Sequence, residues 1–396
     1  MKILFIHTRY LQSRGGEDST LEAEAELLTR KGHEVRIQLF DNGDMGKGLP
    51  GKLQAGFSVI YNFSSAKTVT KTINDFRPDL IHIHNFFFAA SPSVLFATHK
   101  AGIPVVVTIH NFRLICANCL LLRDNKICEL CISHDFPWYG VKYKCYHNSA
   151  VGSAAVGAMA AVHKWLGTWK NKVSLYITPS AFSKNRLVDS SFGVPAEKIK
   201  VKHNFIEDPG AANPEERLDY YLFVGRISSE KGIDLLLDAW AMVEVPLIIV
   251  GDGPDMQRIM NKYGQPANIR FVGKQSREAV LDLMKKCRAL VFPSIWYEGL
   301  PLTIIEALAT GTPVIASGQG AMSEMIEDGK NGLHFSTGDA VALAESVLQF
   351  EKQVGTGDHS YYAHARQSYL DQYHPEQCYN QIMEIYQHLV STEKNG

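Results

Sequence analysis

The chain has 396 residues, 45% of them hydrophobic, and a formal net charge of −1. That length exceeds what one hydrophobic core usually serves, so two domains are expected. The neutral balance gives no bulk electrostatic support to nucleic-acid binding, and no stretch approaches the roughly 18 consecutive apolar residues of a transmembrane helix.

Met-Lys-Ile-Leu-Phe-Ile-His at the start carries one basic residue and too short an apolar run for a signal peptide. It reads as a first buried strand. Seven cysteines without a secretion signal point to a reducing compartment, where clustered thiols bind metal rather than pair. The expected setting is cytoplasmic.

Apolar, β-rich runs follow at residues 34–40, 79–84, 104–110, 175–179 and 199–203, with helical patterns at 17–31 and 91–101 among them. This alternation predicts a parallel sheet covered on both faces. Residues 205–219, with two prolines, a glycine and several acids, read as a linker. Strand signals restart at 220–225, 246–251, 269–273, 289–293 and 313–317, with helices between them, and two helical patterns at 360–373 and 375–390 close the chain. The expected fold class is α/β, with two doubly wound Rossmann-like domains.

Glu298-Gly-Leu-Pro-Leu-Thr-Ile-Ile-Glu306 lies between two of these strand signals. Pro301 suits the start of a helix and Gly311 its stop. The backbone N–H groups of Gly299 and Leu300 then sit at a helix N-terminus, an environment that favours anions. Thr303, Glu306 and Thr310 share one helical face, which on its own also fits an ordinary solvated stripe. Gly225-Arg226-Ile-Ser-Ser-Glu-Lys231-Gly232 follows the first strand of the second half. It places two cations at a strand's carboxyl end, which suits a diphosphate. Gly251-Asp-Gly253-Pro254 makes a further strand-to-helix turn. In the first half, Arg14-Gly15-Gly16 precedes a helix, and His110 ends a strand and is followed by Asn111.

These motifs, in this order and at domain-scale spacing, resemble a family 4 glycosyltransferase, including its two glutamates separated by seven residues. The resemblance spans essentially the whole chain and is tightest over residues 220–335. It implies the GT-B fold, with an acceptor-binding domain at 1–206 plus the returning helix 375–396, and a donor-binding domain at 207–374. It also implies retaining transfer of a sugar from a UDP- or GDP-sugar without a catalytic metal. Arg226 and Lys231 would then hold the donor diphosphate, with Gly16 and the Gly299–Leu300–Pro301 backbone contributing to the phosphates or sugar. Glu298 would lie by the transferred sugar, Glu306 would take the ribose hydroxyls, and His110 would contact the donor sugar near the reaction centre. Many relatives carry Asp where this chain has Asn111, so the partner of His110 does not carry over.

Cys116-x2-Cys119-x8-Cys128-x2-Cys131 and Cys145-Tyr-His147 make an insert over 116–147. Paired Cys-x2-Cys units are the pattern of a tetrahedral metal site, although buried reduced thiols give the same spacing. By resemblance to a subset of the family, Cys116, Cys128, Cys131 and Cys145 would hold a structural zinc, with Cys119 the alternative. Residues 136–188 contain no acid and seven lysines or arginines, together with Trp138, Trp165 and Trp169. That composition suits peripheral binding to an anionic inner-leaflet surface and a lipid-linked or glycolipid acceptor in surface polysaccharide synthesis. Two rival readings stand: a nucleotide-sugar epimerase or hydrolase on the same fold, and a zinc-stabilised, non-catalytic binding protein.

Overall fold

The computed structural model describes residues 1–9, 15–42, 58–357 and 359–394. The chain forms two compact units. Met1–Leu121, Cys128–His203 and Cys378–Gly396 make the first, and Leu122–Ile127 with Asn204–Gln377 the second.

In chain order the strands are β1 (Lys2–Arg9), β2 (Glu34–Asp41), β3 (Leu80–Asn85), β4 (Val105–Thr108), β5 (Leu122–Arg123), β6 (Lys126–Ile127), β7 (Leu175–Thr178) and β8 (Ile199–Val201). Then come β9 (Tyr221–Val224), β10 (Leu247–Val250), β11 (Ile269–Gly273), β12 (Leu290–Phe292), β13 (Val314–Ser317) and β14 (Gly332–Phe335). The first unit holds a sheet of order β2-β1-β3-β4-β7-β8, and every pairing in it is parallel. The second sheet has the order β11-β10-β9-β12-β13-β14, again all parallel.

Parallel strands must be joined by crossovers, which put helices on both faces. The side-chain alternation shows this in the second unit. Leu222, Leu290, Phe292, Val314 and Ala316 enter one core with Ile304, Ile305 and Leu308 of the Leu302–Ala309 helix. Tyr221, Phe223, Val291 and Ile315 enter the other, with Leu236, Leu237 and Trp240 of the Ile233–Trp240 helix. In the first unit, Ile3, Phe5, Val106 and Ile177 pack against Leu21 and Leu28 of the Gly16–Arg30 helix. Ile382, Met383 and Tyr386 of the final helix, Pro375–Lys394, join the same core.

The structure corrects several local expectations. Residues 205–219 are anchored within the second unit rather than loose, with Phe205 and Ile206 buried. Arg217 donates to the Met284 and Cys287 carbonyls at one helix end, at 3.2 and 2.6 Å, and to Thr310 and Gly311 at another, at 3.3 and 2.9 Å. One guanidinium thereby caps two helix C-termini, which leave carbonyls without intrahelical partners. The β5–β6 hairpin, β14 and the Phe63–Phe76 helix were not anticipated. The hairpin strands are two residues long, β14 is four, and the helix is rich in Ser and Thr, so none leaves a strong periodic signal.

Candidate active site

The second sheet reverses its order of growth at β9 and β12, where successive crossovers leave in opposite directions and a crevice opens at the strand carboxyl ends. The two segments singled out in the sequence leave the sheet there. After β9, Gly225 leads through Arg226 to a short 3-10 turn, Ser229–Lys231, and then to Gly232 at φ +74°. A Cβ on Gly232 would lie 1.9 Å from the Pro293 carbonyl oxygen, so this turn touches the backbone beyond β12 only because glycine is there. Ile295 N–H donates to the Glu230 carbonyl at 3.0 Å and stitches the two loops together.

That stitching sets the centre of the site. Lys231 Nζ lies 2.7 Å from Glu298 Oε1. Ser294 Oγ and Trp296 Nε1 donate to the same oxygen at 2.8 and 2.7 Å. Glu298 is only 6% exposed, so three donors on one oxygen compensate a carboxylate that burial would otherwise destabilise. Gln319 donates to the Ser294 and Trp296 carbonyls, both at 3.2 Å, and supports the loop from beyond β13.

The remaining residues of this half take separate places. Arg226 is exposed and pairs with Glu230. Gly299 is half-buried, whereas Leu300 and Pro301 are buried. Pro301 caps the Leu302–Ala309 helix, which begins one residue later than expected, and Gly311 follows its end at φ +71°. The polar stripe is not a solvated face. Thr310 is fully buried and donates to the Ala307 carbonyl, and Glu306 is half-buried and 3.2 Å from Arg277 Nε. Burial raises the Glu306 carboxyl above the usual range, with Arg277 opposing.

In the first unit, Gly16 opens its helix and is exposed; Arg14 lies outside the described residues. Asp18 accepts from the Gly15 N–H at 2.9 Å and from His7 Nε2 at 3.0 Å, tying the glycine turn to the end of β1. Glu17 lies beside it and accepts from Asn85 Nδ2 at 3.0 Å. Burial, with the Asp18 charge adding to it, lifts the Glu17 carboxyl to about 7. His110, just past β4, places Nε2 3.1 Å from Nδ1 of His84. Burial holds its imidazole well below the usual histidine range, in the neutral form.

The insert gathers its thiols without bringing any three within 4.8 Å of one another among the described residues. Cys131 feels the charges of Cys145 and Cys128, and Cys116 feels those of Cys119 and Cys131. Cys119 also takes a contact of 3.3 Å from Arg113 Nη2. Burial pushes the Cys116 thiol up to about 12. The donor set therefore fits a thiophilic metal in kind and neighbourhood, at a spacing wider than a closed tetrahedral site. Among the tryptophans of residues 136–188, Trp138 and Trp165 are 67% and 85% exposed. Trp169 corrects the expectation of an interfacial ring: it is buried against Phe86 and His163.

Two family models match the two halves of the chain. Glycosyltransferase Family 4 covers residues 14–208, and Glycosyl transferases group 1 covers 204–366. The chain belongs to the family 4 glycosyltransferases. This glycosyltransferase is 26% identical over 357 residues to an uncharacterized 42.6 kDa protein in a cps region of Klebsiella pneumoniae, across 82% of this chain and 87% of that one. It is 34% identical over 133 residues to the phosphatidyl-myo-inositol mannosyltransferase of Mycobacterium leprae, a match covering 32% of this chain and 36% of that one. Among solved structures, Anabaena HepE in complex with UDP superposes with a TM-score of 0.70 at 19% identity, over 98% of this chain and 100% of that one. The fold is GT-B, with two Rossmann-like domains.

Several residues of this glycosyltransferase's site escaped the sequence reading. Ser294, Trp296 and Arg277 carry no spacing signal of their own. Glu17 and Asp18 read only as an acidic first helical turn. Together they put two carboxyl groups side by side in the first unit, with Asp18 committed to His7 and Gly15.

The raised Glu17 pKa has a signed consequence. Between the ordinary glutamate pKa of about 4.3 and about 7, the folded state binds the Glu17 proton more tightly than the unfolded state does. Stability contributed there is present at low pH and lost as pH rises through that window. The melting temperature of Glu17→Gln, relative to the parent, should climb from pH 5 to 8 and then level off. A flat difference across that range would show an ordinary carboxylate.

Proposed function

We propose that this glycosyltransferase moves a sugar, with retention of anomeric configuration, from a UDP- or GDP-sugar to a lipid-linked or glycolipid acceptor in surface polysaccharide synthesis. The observation that carries the reading is the Lys231–Glu298 pair at the crevice between β9 and β12, with Ser294 and Trp296 on the same carboxylate oxygen. An ammonium has three donors, and Glu298 occupies one, so Lys231 can hold the carboxylate and a phosphate oxygen together.

Breaking a glycosyl–phosphate bond builds negative charge on the leaving diphosphate and positive charge on the sugar. Fixed cations at the leaving group are the expected largest contribution to rate. Lys231 would supply that charge, and Arg226, exposed and tethered by Glu230, would add a second cation. Glu298, whose Oε1 is taken by three donors, would turn Oε2 to a sugar hydroxyl. Glu306 would take the ribose hydroxyls, with Arg277 keeping it ionised as it does so. Backbone groups of Gly16, Gly299, Leu300 and Pro301 would complete the donor site, and His110 would contact the donor sugar. The UDP complex of the HepE relative supports a nucleotide donor, and the lipid-linked substrate in the name of the Mycobacterium leprae relative supports a lipid acceptor.

A structural zinc would be held by Cys116, Cys128, Cys131 and Cys145, with Cys119 kept by Arg113. Bound there, it would take the thiols as thiolates and close the insert. The exposed Trp138, Tyr143, Val151, Trp165 and Leu166, in an acid-free stretch, would rest on an anionic inner-leaflet surface.

Lys231→Ala should lower donor turnover by about 10²–10³-fold with the melting temperature retained. Turnover within a factor of two of the parent would mean that the diphosphate lies elsewhere, and release of free sugar to water alone would favour the hydrolase reading. Chelation should release about one zinc per chain and lower the melting temperature of the first unit; protein free of zinc after expression in zinc-supplemented medium would overturn the metal site. Vesicles containing anionic lipid should sediment the protein at low salt, and Trp165→Ser with Trp138→Ser should abolish this. Equal binding to neutral vesicles, or none to either, would sink the membrane reading.

A further inference from the structure

Behind His110 the first unit buries an uninterrupted row of ionisable side chains. Glu24, from the Gly16–Arg30 helix, is 2% exposed and forms an ion pair with Lys202, which follows β8 and is equally buried. On its other oxygen, Oε2, Glu24 lies 3.2 Å from His84 Nε2 and 3.8 Å from His82 Nδ1, and Oε2 and His84 Nε2 are both buried without a well-aligned hydrogen bond. His84 Nδ1 in turn meets His110 Nε2 at 3.1 Å. The register of β1 against β3 jumps from Ile6–Ile83 to His7–Asn85, so His84 is the extra residue of a bulge, a device that re-aims a side chain.

The protons along this row follow from the chemistry of its far end. Burial opposes ionisation of Glu24, but the charge of Lys202 leads the contributions that outweigh it, and the carboxyl is held well below the usual range. A carboxylate only accepts hydrogen bonds, so the nitrogen facing it, His84 Nε2, carries the N–H. Lys202 already neutralises this one buried acid, and a second cation on the row would be uncompensated. His84 is then neutral, with its lone pair on Nδ1. His110 donates to it through Nε2–H and is left with a lone pair on Nδ1. His82 flanks the row, its Nδ1 at 2.6 Å from the Tyr386 hydroxyl and 3.8 Å from Glu24 Oε2, and its Nε2 at 2.7 Å from Thr108 Oγ1.

We propose that His84, Glu24 and Lys202 are positioning residues that lock His110 in one orientation and one tautomer, with Nδ1 presented as a hydrogen-bond acceptor for a hydroxyl of the donor sugar. The proposal rests on the donor-sugar reading of His110 for its catalytic meaning, but not for the tautomer. The same Glu24, His82 and His84 atoms lie within 4.8 Å of one another, as metal ligands would. A cation there would have to displace Tyr386 from His82 and sit beside the Lys202 ammonium, so the group serves protons and not a metal.

The test is the nitrogen chemical shifts of His110 in full-length protein labelled with 15N-histidine, its signals identified by their loss in His110→Ala. Nε2 should appear protonated and Nδ1 unprotonated. His84→Phe, which cannot accept the bond, should move both toward tautomer-averaged values and lower kcat at least tenfold with donor KM changed less than threefold. His84→Gln, whose amide oxygen can still accept, should restore a large part of both. His84→Phe should also add little to the kcat loss of His110→Ala. A proton on Nδ1 of His110 in the parent, or unaltered shifts in folded His84→Phe, would overturn the relay; the parent spectrum needs no variant to fold. Full turnover by His110→Ala would instead remove the donor-sugar reading, with the shifts still deciding the relay.

Discussion

A parallel sheet delivers every strand's carboxyl end to one edge, and both units of this protein place their charged and polar groups along that edge. In the second unit the loops that leave it after β9, β10 and β12 are held by backbone contact. Gly232 against the Pro293 carbonyl, and Gly251, where a Cβ would lie 1.8 Å from the Gly225 carbonyl, allow no larger side chain without moving a strand end. Lys231 and Glu298 meet because of that closeness, although 67 residues separate them. The Coulomb attraction in their pair is worth having only because Ser294 and Trp296 complete the carboxylate's hydrogen bonds; a buried charge with one partner would be a poor bargain.

The two units solve the problem of buried charge differently. In the second, the ion pair stays near the surface, with Lys231 22% exposed, so it can exchange partners with a ligand. In the first, Glu24 and Lys202 are sealed in the core, and Glu24 meets His84, which faces His110 just past β4. An exposed pair is suited to binding, and a sealed one to fixing a neighbour's protons. The final helix contributes to the sealing by setting Tyr386 on His82.

The motifs legible in the sequence were those whose residues lie close together along the chain. Gly225-Arg226 to Gly232 and Glu298 to Glu306 each occupy one strand-to-helix turn, so glycine, proline and charge at fixed offsets report a backbone geometry directly. Alternating apolar runs similarly located eleven strand segments to within a few residues, since fully buried parallel strands are nearly continuous in Val, Ile and Leu. Short elements such as β5, β6 and β14 fall below that threshold. The acid-free stretch misled in one particular: composition gave Trp165 and Trp169 the same standing, and packing exposed one and buried the other.

By itself, the amino-acid order determined the doubly wound α/β class, the two-unit organisation of the sheet signals and the set of residues able to carry a nucleotide-sugar site. These are consequences of local periodicity and turn chemistry, which need no knowledge of distant neighbours. Only the tertiary structure decided which groups face one another: Lys202 with Glu24 across 178 residues, His84 with His110, Arg277 with Glu306, and Arg217 on two helix ends. A charge is recorded at its own position in a sequence, but whether it is solvated, paired or buried depends on segments brought alongside by folding. Protonation states and partners, and hence roles, belong to that second level.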